Sequence, residues 1–219
     1  MSIDLICPSR GRPDAAKQLL ASFKETAVLD TTRLIFAVDD DDPTVADYPG
    51  TVVIGPSSGD PTAPLNRLAF ASEARIVGFL GDDSRLATKG WDREVERALR
   101  EPGFAYGPDD TSGPAIWPST CFVTTDIVRA IGYFALPSLK RGFFDRQWIS
   151  VARAAHLERP LRSHFPHDNS EHPVAKAVIQ ADEKAFLEWG NAGALIDAKK
   201  AEHLYDLVHY FPPHVLAAS

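Results

Sequence analysis

The sequence predicts an α/β protein built on a mostly parallel central sheet, and three observations carry that expectation. The first 85 residues run strand, helix, strand, loop, strand, helix, strand, which is α/β order. The apolar runs, such as RLIFAV and RIVGFL, are short and almost without alternation, as suits strands covered on both faces. Polar and charged residues gather directly after those runs, at the carboxyl ends of strands where open sheets take their ligands.

The elements follow in order. Residues 3–7 make a first strand and 8–12 a polar, glycine-containing loop. Pro13 is tolerated in a first helical turn and opens a helix to about residue 24, with Leu19, Leu20 and Phe23 as its apolar stripe. A strand over 33–38 stops in four aspartates, Asp39 to Asp42, closed by Pro43. A third strand over 51–54 leads into SSGDPTAP, a loop rich in breakers. Pro64 starts a helix through LNRLAFASEA, and a fourth strand over 75–80 ends in Gly81, Asp82 and Asp83. The second half is less regular. WDREVERALREP reads as a helix, FAYG as a short strand, PDDTSGPAIWP as a long loop, and TCFVT as a strand running into the helix TDIVRAIG. A helix over 143–156 turns Trp148, Val151 and Ala155 inward, and RPLRSHFPHDNSEHP joins a short strand to a histidine-rich loop. Two helices, 174–189 and 192–209, follow. No repeat or linker divides the chain, so a single domain over 1–219 is expected, with a first half at 1–85, a second at 86–170 and C-terminal helices at 171–219.

Composition excludes several classes of function. At 44% hydrophobic and 24% charged the chain is neither a disordered tail nor a membrane protein. It has no run of 18 apolar residues and no signal-peptide charge order at its start. Cys7 and Cys121 make neither a disulfide framework nor a paired ligand spacing. They read as small buried hydrophobes in a reduced, cytoplasmic setting. Lys and Arg number 23 against 30 Asp and Glu, a net charge of -7, which argues against a broad nucleic-acid surface.

Chemistry concentrates at the strand ends. Neighbouring carboxylates such as Asp82 and Asp83 repel, and a hard divalent cation bridging to phosphate relieves them. An ordinary acidic turn is the alternative. One of Asp39 to Asp42 is placed to hydrogen-bond a base or ribose, or the run is a solvated turn. No G-x-G-x-x-G or P-loop motif occurs, so classical dinucleotide and P-loop sites are poor candidates. Arg10 and Arg12, beside the first strand end, are suited to phosphate oxygens. Trp117, in a Gly/Pro loop, offers either a stacking surface for an acceptor's sugar ring or base, or a plug for the core. Trp91, Trp148 and Trp189 sit on helices and read as core. His164, His167 and His172 lie within nine residues without a zinc motif.

Together, ICPSRGRP at the first strand, FAVDDDDP at the second and LNRLAFASEARIVGFLGDDSRL around the fourth resemble the nucleotide-sugar-dependent glycosyltransferases of the GT-A fold. The likeness is to the compact single-domain members of their large inverting family and covers roughly residues 3–160. It implies a three-layer sandwich with a nucleotide-binding first half and an acceptor-facing second half. Pro8, Arg10 and Arg12 then belong to the donor pocket, Asp39 contacts the base or ribose with Asp40 next in line, and Asn66 faces the nucleotide. Where relatives show D-x-D this chain has Gly81, Asp82 and Asp83. The resemblance then makes Asp83 the direct metal ligand and Asp82 the ribose or outer-shell partner, or the reverse. His164 or His167 completes the metal shell. In RGFFDRQW, Phe144 replaces the family's Glu and leaves Asp145 as the acceptor-side base, or else a generic helix-start carboxylate.

The implied function is Mn²⁺- or Mg²⁺-dependent transfer of a sugar from a nucleoside diphosphate donor, UDP first, to a hydroxyl on a glycan, protein or modified nucleic acid, with inversion. A nucleotidyltransferase and a noncatalytic nucleotide- or carbohydrate-binding module of the same fold are the alternatives.

Overall fold

The structure, a computed structural model, describes residues 1–109, 119–167, 176–190 and 192–210. Among these residues seven strands form one sheet: β1 (Ile3–Pro8), β2 (Thr32–Asp39), β3 (Thr51–Gly55), β4 (Ile76–Phe79), β5 (Phe104–Tyr106), β6 (Cys121–Thr124) and β7 (Glu158–Pro160), in the spatial order β3-β2-β1-β4-β6-β5-β7. β1 pairs in parallel with β2 and β4, and β2 with β3. β6 runs antiparallel between β4 and β5, and β7 is parallel to β5. The chain winds outward from β1 through β2 to β3, then returns to β1's other side as β4. The carboxyl ends of β1 and β4 therefore flank the point where winding direction reverses, and such sheets open a crevice there.

Among the described residues, seven helices cover the sheet: α1 (Pro13–Thr26), α2 (Thr62–Ala71), α3 (Trp91–Ala98), α4 (Thr125–Ile131), α5 (Phe144–Ala154), α6 (Lys176–Gly190) and α7 (Gly193–Tyr210). Because side chains alternate along a strand, β1 sends Ile3, Leu5 and Cys7 to one face and Ile6 to the other. The first face packs Ala16 and Leu19 of α1 with Trp91 and Val95 of α3. Behind the second stand Leu65 of α2, Ile127 and Val128 of α4, Trp148 and Val151 of α5, and Ala198 and Ala201 of α7. This is the expected three-layer α/β arrangement.

Several boundaries differ from the sequence expectation for physical reasons. α2 begins at Thr62, two residues before Pro64, because Asp60 Oδ1 accepts the N–H groups of Thr62 and Ala63 at 3.0 and 3.2 Å. Pro64 then falls in the first turn, where a missing N–H costs nothing. α5 begins at Phe144, since Phe143 stands in the left-handed region at φ 67°. Leu20 and Phe23 are only partly buried. Trp189 is half-buried and donates its indole N–H to Tyr133 at 3.0 Å and Asp197 at 3.1 Å, so it tethers helices rather than filling the core. Trp91 and Trp148, Cys7 and Cys121 are all buried. Among the described residues, no helix is long and apolar enough to cross a membrane.

Candidate functional site

The loop after β1 is fastened from two sides. Ser9 continues the strand by donating its N–H to Ala37 at 3.0 Å. Its buried hydroxyl lies 3.0 Å from the Tyr48 hydroxyl and donates to Asp82 Oδ2 at 2.5 Å. Gly11 turns left-handed at φ 68°, a conformation glycine adopts without steric cost, and gives its N–H to Asp42 Oδ2 at 2.7 Å. Arg12 donates its N–H to Tyr48 at 3.1 Å. Asp42 is buried and also caps Thr44 through N–H and hydroxyl, both at 2.8 Å. Burial pushes its carboxyl up, yet these donors outweigh it and leave it below its ordinary value. One of the four aspartates is thus a structural clamp.

So held, the Arg12 guanidinium bonds Asp82 and stands 3.9 Å from Asp83 Oδ2. The other oxygen of Asp83 is 3.1 Å from His167 Nδ1. A single bridge pairs Ser84 with His167, their side chains meet at 3.3 Å, and Arg85 donates its N–H to the Pro166 carbonyl at 2.8 Å. Segments 84–88 and 164–167 therefore lie against each other, which brings His167 to the acidic turn. Burial raises the Asp83 carboxyl, but His167, by hydrogen bond and charge, and Arg12 bring it below the ordinary value. His164 is fixed differently, its N–H donating to Thr88 Oγ1 at 2.9 Å and its carbonyl accepting from Ala87 at 3.4 Å.

Gly81 has a steric reason. A Cβ there would stand 2.4 Å from Asp83 Oδ1 and 3.6 Å from His167 Cε1. The missing side chain is the space in which the Asp83 carboxylate turns toward His167. Beside this turn opens a cleft of about 350 Å³, lined among others by Gly11, Arg12, Gln18, Asp83 and Arg85. Arg85 is anchored there by Gln18 and by the carbonyl of Ser84 at 2.7 Å.

The end of β2 forms a second group. Arg10 pairs with Asp39 at 3.0 Å and with Asp41. Asp40, exposed, donates its N–H to the Gly55 carbonyl at 2.8 Å and accepts from Ser57 N–H at 3.2 Å. A Cβ on Gly55 would meet the Arg67 guanidinium at 1.9 Å, so this α2 side chain lies directly over the end of β3, beside Asp39 and Asp40. Pro8 ends β1 opposite Ala37, between the two groups.

Asp145 begins α5 next to Phe144, whose ring meets Phe79 of β4 at 6.0 Å. The helix start is thus docked on the strand that ends in Asp82 and Asp83. Burial raises the Asp145 carboxyl; Arg146 opposes this through its N–H and charge, and the negative charge of Asp109 adds to it. The turn at Phe143 that presents Asp145 is one that costs an L residue about 1–2 kcal/mol, and such strain persists only where the surroundings enforce it.

The structure brings Arg12, Asp82, Asp83 and His167 together, and Arg10 with Asp39. It does not bring Asn66 to them. The Asn66 amide is engaged by the loop before α5, donating to the Ala135 carbonyl at 2.7 Å and accepting from Phe134 and Ala135 N–H, both at 2.8 Å. Trp117 lies outside the described residues. Among those described, no three His, Cys, Asp or Glu side chains converge on a cation position. Sequence reasoning missed Ser9, Tyr48, Asp42 and Arg67. Only Asp42 carried a signal, being one of an acidic run.

No family model and no curated protein matches the chain. Solved structures do. S. aureus TarS 1-349 in complex with UDP superposes at TM-score 0.61 and 13% identity, over 98% of this chain and 73% of that one. The mannosyltransferase PcManGT from Pyrobaculum calidifontis, in complex with GDP-Man and Mn²⁺, gives TM-score 0.57 at 14% identity over 99% and 77%. Glucosyl-3-phosphoglycerate synthase from Mycobacterium tuberculosis, in complex with Mg²⁺ and UDP, gives 0.61 at 11% over 88% and 79%. At such identities the likeness is one of fold, and the fold of this chain is the GT-A type shared by these proteins.

Proposed function

We propose that this chain transfers a glycosyl group from a nucleoside diphosphate sugar, with UDP the first carrier, to an acceptor hydroxyl with inversion. The observation that carries the reading is the cluster of Arg12, Asp82, Asp83 and His167 at the reversal point between β1 and β4. A site there can hold a diphosphate, because Arg12 supplies positive charge beside an open cleft. The neighbouring end of β2 then takes the nucleoside, with Asp39 accepting from the base or ribose and Arg67 donating to a base carbonyl.

The donor set suits Mg²⁺ or Mn²⁺. Asp83 and His167 stand side by side in space kept free by Gly81, and Mg²⁺ characteristically takes one or two carboxylates and completes its shell with substrate phosphates and water. When bound, such a cation neutralises charge developing on the departing diphosphate. Asp82, already committed to Ser9 and Arg12, orients the arginine rather than ligating. His167 Nδ1 stands 3.1 Å from Asp83 Oδ1, which makes it the histidine of choice.

The two carboxylates are tuned in opposite directions: Asp83 is held ionised and Asp145 is raised. Environments that push carboxyl groups apart in this way distinguish a charge-holding site from a proton-accepting one. Asp145 takes the proton of the acceptor hydroxyl as its oxygen bonds to the anomeric carbon. The bond from that carbon to the phosphate oxygen breaks on the opposite side, and the electron pair leaves with the diphosphate. Calorimetry with UDP and GDP, with Mn²⁺ and after complete chelation, tests the binding half. Tighter binding with Mn²⁺ is expected, and equal affinity after chelation would remove the cation from the reading. A protein that binds donor but neither transfers nor hydrolyses it is a binding module.

A further inference from the structure

The segment leading into α5 is held by a carboxylate from the C-terminal helices. Asp182 on α6 is fully buried. It accepts three successive backbone N–H groups: Lys140 on Oδ1 at 2.8 Å, Arg141 on Oδ2 at 2.7 Å and Gly142 on Oδ2 at 2.8 Å. One turn further along the same helix, the Phe186 ring packs 5.6 Å from that of Phe143. The left-handed residue, Phe143 at φ 67°, therefore follows directly on the segment Asp182 holds and is itself packed by Phe186, and Asp145 follows two residues later.

We propose that Asp182 is a positioning residue for Asp145, fixing the turn at Phe143 and with it the depth at which the Asp145 carboxylate sits. Successive N–H groups that point to one centre form a concave anion-binding nest, and here the chain fills the nest with its own side chain. The consequence is directional. With 140–142 drawn onto α6, Phe144 turns inward against Phe79 and Asp145 is left half-buried, under the opposed charges of Arg146 and Asp109. The opposite flank of the segment is fixed by α2, where Thr62 donates its hydroxyl to the Leu139 carbonyl at 2.5 Å. The α6 side is thus the one whose release lets the turn relax. The catalytic meaning of this inference rests on the proposed base role of Asp145, but its measurement does not.

The molecule contains its own control. Asp92 is equally buried and accepts N–H from Val28 at 2.9 Å and Leu29 at 2.7 Å, at the amino-terminal end of β2, away from the cleft. In full-length protein labelled with ¹³C at the aspartate carboxyls, the Asp145 resonance is assigned by its loss in Asp145→Asn. Asp182→Asn puts an NH₂ group where the nest needs an acceptor. Both it and Asp92→Asn are expected to lower Tm, on the order of 5 to 10 °C. Only Asp182→Asn should move the Asp145 titration down toward the ordinary carboxylate range. Phe186→Ala, which leaves every charge in place, should move it the same way. An unchanged Asp145 titration in folded Asp182→Asn, or an equal movement in Asp92→Asn, overturns the proposal. If Asp182→Asn does not fold, Phe186→Ala is judged by the same criterion. Full turnover by Asp145→Asn would remove the base role and leave the titration result standing, so the two failures are distinguishable.

Discussion

Asp83 and Asp145 are two carboxyls of one molecule held in opposed electrostatic states, and each state predicts a different loss. Asp145→Asn keeps the shape of the side chain but cannot accept a proton, so transfer should slow by about 10² to 10⁴ while UDP affinity is unchanged. The same substitution should stabilise the fold. A carboxyl whose folded pKa is raised costs nothing at low pH, where it is neutral folded and unfolded, and the full difference above its folded value. Asp145→Asn should therefore melt above the wild type at neutral pH, with the gap closing as pH falls toward about 3.9. Thermal scans between acid and neutral pH check the sign. Asp83 runs the other way, since its lowered pKa contributes stability that is present at neutral pH and lost as pH falls through the folded value. Asp83→Asn and His167→Ala should each abolish most of the Mn²⁺-dependent part of UDP affinity, on the order of tenfold or more, and leave the metal-free affinity in place. Titrations with and without Mn²⁺ separate the two parts.

At the scale of elements, two glycines around β4 have opposite expected consequences. Gly78 faces the ring of Phe122, and a Cβ would stand 2.6 Å from it and 3.0 Å from Leu5. Phe122 is itself stacked on Trp91 at 5.5 Å and packed on Phe165 at 5.6 Å, so it has nowhere to go. Gly78→Ala should cost about 1–3 kcal/mol in denaturant unfolding. Gly81→Ala clashes with the far end of the Asp83 side chain at 2.4 Å, and meets His167 Cε1 at an ordinary 3.6 Å. It should fold at near wild-type stability and lose the Mn²⁺-dependent affinity much as Asp83→Asn does. These contrasts also mark how far the sequence could be read. Strands and helices were legible because each depends on residues near one another in the chain: apolar runs, Pro13, the aspartates after β2 and β4. Even the departure from D-x-D was visible, though its cause, the folding of Asp83 over Gly81, is three-dimensional. The engagement of Asn66 was not legible, because its helix position says nothing of the loop 68 and 69 residues later that holds it. Asp182 and Tyr48 carried no local signal at all, being ordinary residues that matter through partners far along the chain.

Across the whole molecule, the proposed site is assembled from parts that have no other reason to meet. Arg12 and Ser9 follow β1, Asp39 ends β2, Asp82 and Asp83 follow β4, and His167 arrives from the segment after β7. A ligand that engages all four recognises only the folded chain, so its binding free energy appears as stability by mass action. In the free protein Arg12 already bonds Asp82 and stands 3.9 Å from Asp83, which lessens the pull of this acidic pair on a cation. A diphosphate competes for Arg12 and adds its own oxygens beside Asp83, so nucleotide and cation should each improve the site for the other. Mn²⁺ alone and UDP alone should therefore raise Tm little. Both together, at about 100 times the dissociation constant, should add roughly 2.7 kcal/mol, or on the order of 5 to 10 °C for a chain of this size. The increment should vanish with chelator. Purely additive shifts would mean that the two ligands do not share the reversal point between β1 and β4. A large shift with Mn²⁺ alone would mean that the cation site is complete without phosphate. In Arg12→Ala the shift from Mn²⁺ alone should grow while that from UDP shrinks, because removing the guanidinium frees the carboxylates and deletes the anion's partner at once.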